Sequence, residues 1–132
     1  MNDLVRGGLI AAVLSLVINV IIFLVGSSQG ISWAVSNGMA PTVTLMPVIL
    51  LTLVATIAAV ILFAILQRMS ERPIEIFLWI ALIVGLLSLI PVYSGTQSRA
   101  TLIGLGLMHV GAALGITWGL LYAMRHTIGD EA

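Results

Sequence analysis

From Gly7 to Gln67 no residue carries a formal charge, and this run limits the chain more than any other feature. A soluble fold cannot cover a surface with so long a neutral, apolar segment. The rest of the chain agrees. It has 132 residues, 61% hydrophobic and 8% charged, against roughly 25% charged in an average soluble domain. Its mean hydropathy is +1.23. A soluble enzyme and a disordered tail are excluded, and so is a nucleic-acid binder, which needs a basic face. With no cysteine, disulfide frameworks and thiolate metal sites are excluded too. The lipid bilayer is the expected surrounding partner.

Four apolar stretches stand out, at about 7–25, 46–67, 76–92 and 100–124. Each is close to the roughly 20 residues that cross a bilayer as a helix. The breaks between them carry turn chemistry: Gly26-Ser27-Ser28-Gln29-Gly30, Arg68-Met69-Ser70-Glu71-Arg72-Pro73, and Pro91 followed by Ser94-Gly95-Thr96-Gln97-Ser98-Arg99. The expected fold is a single all-α domain, residues 1–132, an integral membrane bundle of four transmembrane helices. The first stretch is longer than the apolar core of a cleaved signal peptide, so it is read as a retained span.

The segment 26–45 is the one sizeable loop. Ile31, Trp33 and Val35 alternate with small polar or neutral residues, and Asn37-Gly38 follows. This pattern fits either a small surface hairpin or an irregular loop anchored at the interface by Trp33. Arg6, Arg68, Arg72 and Arg125 fall on one side of the expected bundle and Arg99 on the other. The positive-inside rule then puts both termini in the cytoplasm of a multi-pass cell-membrane protein. Trp79, Trp118 and Tyr122 would lie near the cytoplasmic interface, and Trp33 and Tyr93 near the outer one.

No Asp, Glu, Lys or Arg falls inside a span. A proton-coupled cation antiporter needs a membrane-embedded carboxylate, so that mechanism is disfavoured. The polar residues that remain are Asn19, Thr56, Ser88 and His109, one per helix. At ~1.5 Å per residue each lies roughly 18–24 Å from the cytoplasmic charges. They are the candidate intramembrane polar layer, with His109 its titratable member. Two readings stand: a small polar site, or hydrogen-bonding glue between helices. A lone histidine is a poor metal or haem ligand set, and His126 lies too far along the helix to join it. No metal, no cofactor and no catalytic residue is expected.

Gly111, Gly115 and Gly119 recur every four residues on the fourth span and form a candidate helix-packing stripe. Gly7, Ala11, Ser15 and Asn19 do the same on the first. Small residues let membrane helices approach closely, so the first and fourth spans are expected to pack together. Gly111 and His109 differ by about 160° around the helix at ~100° per residue. The two faces either meet different helices of one bundle, or one of them serves a homo-oligomer or a membrane-protein partner.

Read together, these elements have a pattern: Val17-Ile18-Asn19, Leu66-Gln67-Arg68 with Arg72-Pro73 and Phe77, Leu87-Ser88-Leu89-Ile90-Pro91, and Leu107-Met108-His109 followed by small residues. In order and spacing, from about Arg6 to Arg125, the chain resembles domain-of-unknown-function family 6069, small bacterial four-helix membrane proteins. The resemblance implies a bacterial inner-membrane bundle, with Asn19, Pro73, Ser88, Pro91, Met108 and His109 at recurring family positions. It implies no activity. The leading expectation is a non-enzymatic membrane protein acting through helix packing with itself or a membrane partner. The alternative is binding or passage of a small neutral or apolar molecule around His109.

Overall fold

The computed structural model describes residues 2–35, 42–95 and 98–130, with side chains as far as Arg125. Four helices follow in order: α1 (Asp3–Ser28), α2 (Leu45–Met69), α3 (Pro73–Gly95) and α4 (Arg99–Asp130). All four contain windows long and apolar enough to cross a membrane, and the protein is a multi-pass membrane protein of four-helix type. The large apolar side chains lie on the outside as well as between helices: Val13, Ile21, Val54, Ile83 and Leu114 are all exposed. A helix apolar all round is what a lipid surrounding demands.

Local chemistry sets the ends. Asn2 caps α1 by accepting from the Leu4 backbone N–H at 3.1 Å. At the other end Gly30 adopts φ +83°. The Ile31 N–H reaches the Gly26 carbonyl and the Gly30 N–H reaches that of Ser27, the paired bonds of a Schellman stop. Pro73 opens α3, where its missing N–H costs nothing. Ser98 caps α4 by accepting from the Thr101 N–H. Pro91, expected near the end of the third span, lies inside α3, which continues to Gly95. A bundle tolerates such an interior proline where nearby groups re-satisfy the freed carbonyl.

α1 and α4 run antiparallel in close backbone contact. A Cβ placed on Gly119 would overlap the backbone N and Cα of Ala11. One placed on Gly115 would stand 3.0 Å from the Ser15 N, and one on Gly111 2.5 Å from Ile18 Cγ2. Gly7 faces Ala123 in the same register. The seam therefore steps by four residues along both helices. α2 lies on the other side of α1, with Val60 against Gly8. α3 is bound least. Phe77 meets Phe63 of α2 edge-on at 5.2 Å, and elsewhere α3 is mostly exposed.

Trp33 ties the loop to the bundle. Its side chain does not stand out from the loop but is 97% buried in the protein, with 3% of its surface exposed. Its indole fills a slot between Gly26 of α1 and Gly104 of α4, stacks on Phe23 at 5.2 Å, and donates from Nε1 to Ser27 Oγ at 2.9 Å. Its φ of 53° is uncommon for a non-glycine residue and is held by this burial. Among the described residues, the loop forms an antiparallel bridge, Ala34 to Thr42, with the Val43 N–H on the Trp33 carbonyl. The Asn37-Gly38 turn lies outside the described residues.

The seam yields a paired prediction. Gly119→Val forces α1 and α4 apart and lowers stability by about 1–3 kcal/mol, the usual cost of overpacking. Gly106→Ala, where no atom lies within 4 Å of the added Cβ, leaves it unchanged or slightly raised. Thermal unfolding of the two variants in mild detergent measures the difference.

Candidate functional site

The polar residues inside the bundle divide into two groups. Asn19 of α1 donates from Nδ2 to Thr52 Oγ1 of α2 at 2.8 Å. One turn away, the Ser15 and Thr56 hydroxyls stand 3.3 Å apart. Each hydroxyl is also tied to its own helix. Ser15 donates to the Ala11 carbonyl, Thr52 to Val48, and Thr56 to Thr52, at 2.7–2.8 Å. These bonds clip α1 to α2.

The second group surrounds a cavity of about 480 Å³ between α2, α3 and α4. Asn19, Thr52, Ser88 and His109 all line it. Its remaining walls are chiefly apolar or small, including Ala55, Ala58, Val84, Met108 and Ala112. Val43 of the loop lines it too, and Thr117 lies two turns along α4 from His109. Leu51 of α2 and Val84 of α3, which border it, are 68% and 57% exposed. The mouth therefore lies on the flank of the bundle, between α2 and α3. Gly85 of α3, within the lining, has nothing within 4 Å of where a Cβ would stand.

Of the four residues singled out from the sequence, the structure thus brings Asn19, Ser88 and His109 around one space. Thr56 turns instead toward Ser15 and a smaller groove of about 280 Å³ between α1 and α2. Thr52 takes its place in the cavity wall. It stands one helical turn before Thr56, so the four-residue spacing of Val48, Thr52 and Thr56 could have revealed it. Gly111, Gly115 and Gly119 face α1 within the same chain, on the side of α4 away from the cavity.

The local bonds also set what each polar group can do. Ser88 donates its hydroxyl proton to the Gly85 carbonyl at 2.7 Å. His109 Nδ1 lies 2.9 Å from the Leu105 carbonyl oxygen, one turn earlier on α4. A carbonyl only accepts, so Nδ1 carries the proton, and in the neutral ring Nε2 carries a lone pair. The side chain of His126 lies outside the described residues. Among those described, no three His, Cys, Asp or Glu side chains group to hold a metal. Among the described residues, the arrangement offers a few hydrogen-bonding groups within a chiefly apolar wall.

A model of the Family of unknown function (DUF6069) matches residues 1–126, nearly the whole chain. The chain belongs to this family. No curated protein and no solved structure matches it.

Because Thr52 and the hydroxyls are satisfied by their own helices, deleting the Asn19 amide should cost little. Interhelical bonds in membranes average roughly 0.6 kcal/mol. Asn19→Leu, of similar size, is expected to change stability in detergent by less than about 1 kcal/mol, as read from its unfolding midpoint.

Proposed function

We propose that this membrane protein binds a small, neutral, largely apolar molecule that enters sideways from the bilayer into the cleft between α2, α3 and α4. The observation that carries this reading is the 480 Å³ cavity with its mouth on the flank of the bundle. That volume falls in the roughly 300–1,000 Å³ range of ligand pockets. Its walls are apolar with a few convergent polar groups, the usual composition of a small-molecule site. Among the described residues, no Asp, Glu, Lys or Arg lines it, which suits a neutral occupant. Association through the glycine stripe has less support, since α1 of the same chain occupies that face.

The membrane is proposed to be the bacterial cytoplasmic membrane, with both termini inside. Arg6, Arg68, Arg72 and Arg125 belong to the end of the bundle where α1 starts, α2 meets α3 and α4 finishes, and Arg99 belongs to the other. Reporter fusions to the C-terminus should read cytoplasmic, and a periplasmic signal would overturn this orientation.

The binding reading is tested by native mass spectrometry of the protein released from mild detergent, with extraction and identification of what remains bound. A co-purifying neutral molecule is expected on the wild-type chain. Ala112→Phe, which fills the cleft from α4, should reduce its occupancy at least fivefold without loss of the folded state. Equal occupancy in both proteins would place the molecule elsewhere and defeat the proposal.

A further inference from the structure

We infer that the cleft takes a fatty acyl ester, with its carbonyl on the Thr117 hydroxyl and its chain extended along α4 toward Val43. This inference rests on the binding reading above and narrows it.

Inside the spans, a Ser or Thr hydroxyl usually bonds to its own helix. Ser15 donates to Ala11, Thr52 to Val48, Thr56 to Thr52 and Ser88 to Gly85. Thr117 departs from this pattern. It is half-buried and lines the cleft, and its hydroxyl has no hydrogen-bond partner among the described residues. The Ala113 carbonyl, one turn earlier on α4, does not receive its proton. A hydroxyl left unpaired in an apolar surrounding costs free energy. An acceptor carried in by the occupant removes that cost. It gains less beside Thr52 or Ser88, whose protons are already committed.

Depth points to the kind of acceptor. Thr117 lies two turns before Arg125, ~12 Å at ~1.5 Å per residue. Its neighbour Trp118 is exposed and meets Tyr122 edge-on. On α3, Phe77 packs with Ile116 and Leu120 at this level, and Trp79 just beyond it is exposed. Exposed tryptophans and tyrosines near helix ends mark the boundary between headgroups and hydrocarbon. The ester carbonyls of acyl lipids lie at that boundary. An acyl ester entering from the flank therefore brings its carbonyl to the level of Thr117.

The rest of the cleft fits the chain. Its lining runs along α4 from Thr117 to Leu105, ~18 Å at ~1.5 Å per residue. One leaflet of a ~30 Å hydrocarbon core is ~15 Å deep, so one extended acyl chain matches this length. Ala55, Ala58, Ala112 and Ala113 keep the slot open along its middle, and Val43 stands at its far end. The proton count at Thr117 also favours an ester. A carbonyl takes the hydroxyl proton and has none of its own to place. An alcohol would leave one proton over, and an ether oxygen is the poorer acceptor. An ammonium would bring a charge with no carboxylate among the described lining residues.

The full chain is reconstituted in nanodiscs of ether-linked phosphatidylglycerol, a matrix without esters of its own. It is photolabelled with methyl palmitate carrying a mid-chain diazirine, and the adducts are mapped by mass spectrometry. Adducts are expected on cleft residues such as Met108 and Ala112. Unlabelled methyl palmitate should displace them about fivefold better than hexadecyl methyl ether, the size of one net hydrogen bond. Thr117→Val keeps the shape without the hydroxyl and should bring that ratio toward one. Thr117→Ser restores the hydroxyl and should keep the ratio. Thr117→Ala replaces the valine variant should that one not fold. Repeating the labelling in ester-linked phosphatidylglycerol distinguishes the sources. A fall in labelling supports an acyl ester of the bilayer's own lipids, and undiminished labelling supports a free ester.

Cleft adducts displaced equally by the ester and the ether would overturn the ester inference and leave the binding reading standing. A preference that survives loss of the hydroxyl would overturn the assignment to Thr117. Absence of adducts from the cleft would overturn both readings.

Discussion

The close approach of α1 and α4 is the constraint from which the other features follow. In a bilayer no hydrophobic drive pulls two apolar helices together, because lipid is as apolar as leucine. Attraction has to come from dispersion between atoms in contact, which decays steeply with separation. Gly119 and Gly115 remove the side chains that would hold the backbones apart, and Ala11 and Ser15 present small surfaces opposite them. The two terminal helices are thereby joined along most of their length, although they are the most distant elements in the chain.

With α1 engaged by α4 on one side, α2 takes another, held by Val60 against Gly8 and by the Asn19–Thr52 bond. α3 follows α2 through a short connection and has no comparable seam. Its one deeply buried large side chain is Phe77, near the end where the termini lie. Beyond that contact, the alanines and Gly85 on the facing helices leave space rather than filling it. The cleft is thus what remains when one helix is joined by small residues to nothing in particular. At the opposite end Trp33 fills the slot between Gly26 and Gly104, and the adjoining Val43 closes over the cleft. The polar groups left inside are mostly satisfied by their own helix backbones, so they cost the fold little.

Much of this was legible from residue patterns. Lipid contact makes long apolar runs obligatory for spans, and backbone approach makes a four-residue repeat of glycine meaningful. Depth alone also picked out Asn19, Ser88 and His109. Thr56, at the same depth, is buried against Ser15 instead, because depth says nothing about which way a side chain points around its helix. Thr52, one turn away at a different depth, had the right azimuth and was passed over. The packing of Trp33 was hidden for a related reason. A tryptophan between spans suggests an interface, and only the juxtaposition of Gly26 with Gly104 makes an interior slot of its size. Pro91 suggested a helix end, while the bundle carries α3 a further turn.

By itself, the sequence determined the membrane setting and the number of spans, because these depend on transfer to lipid. The family, too, is written in the linear order of short motifs. Tertiary structure alone decided that α1 takes up the glycine face, that Trp33 is buried, and that Ser88 and His109 share a cleft with Asn19 and Thr52. Those outcomes depend on helix rotation and separation. In a nearly uniform apolar chain, rotation is set by where atoms from distant segments fit against each other, and no single segment carries that information.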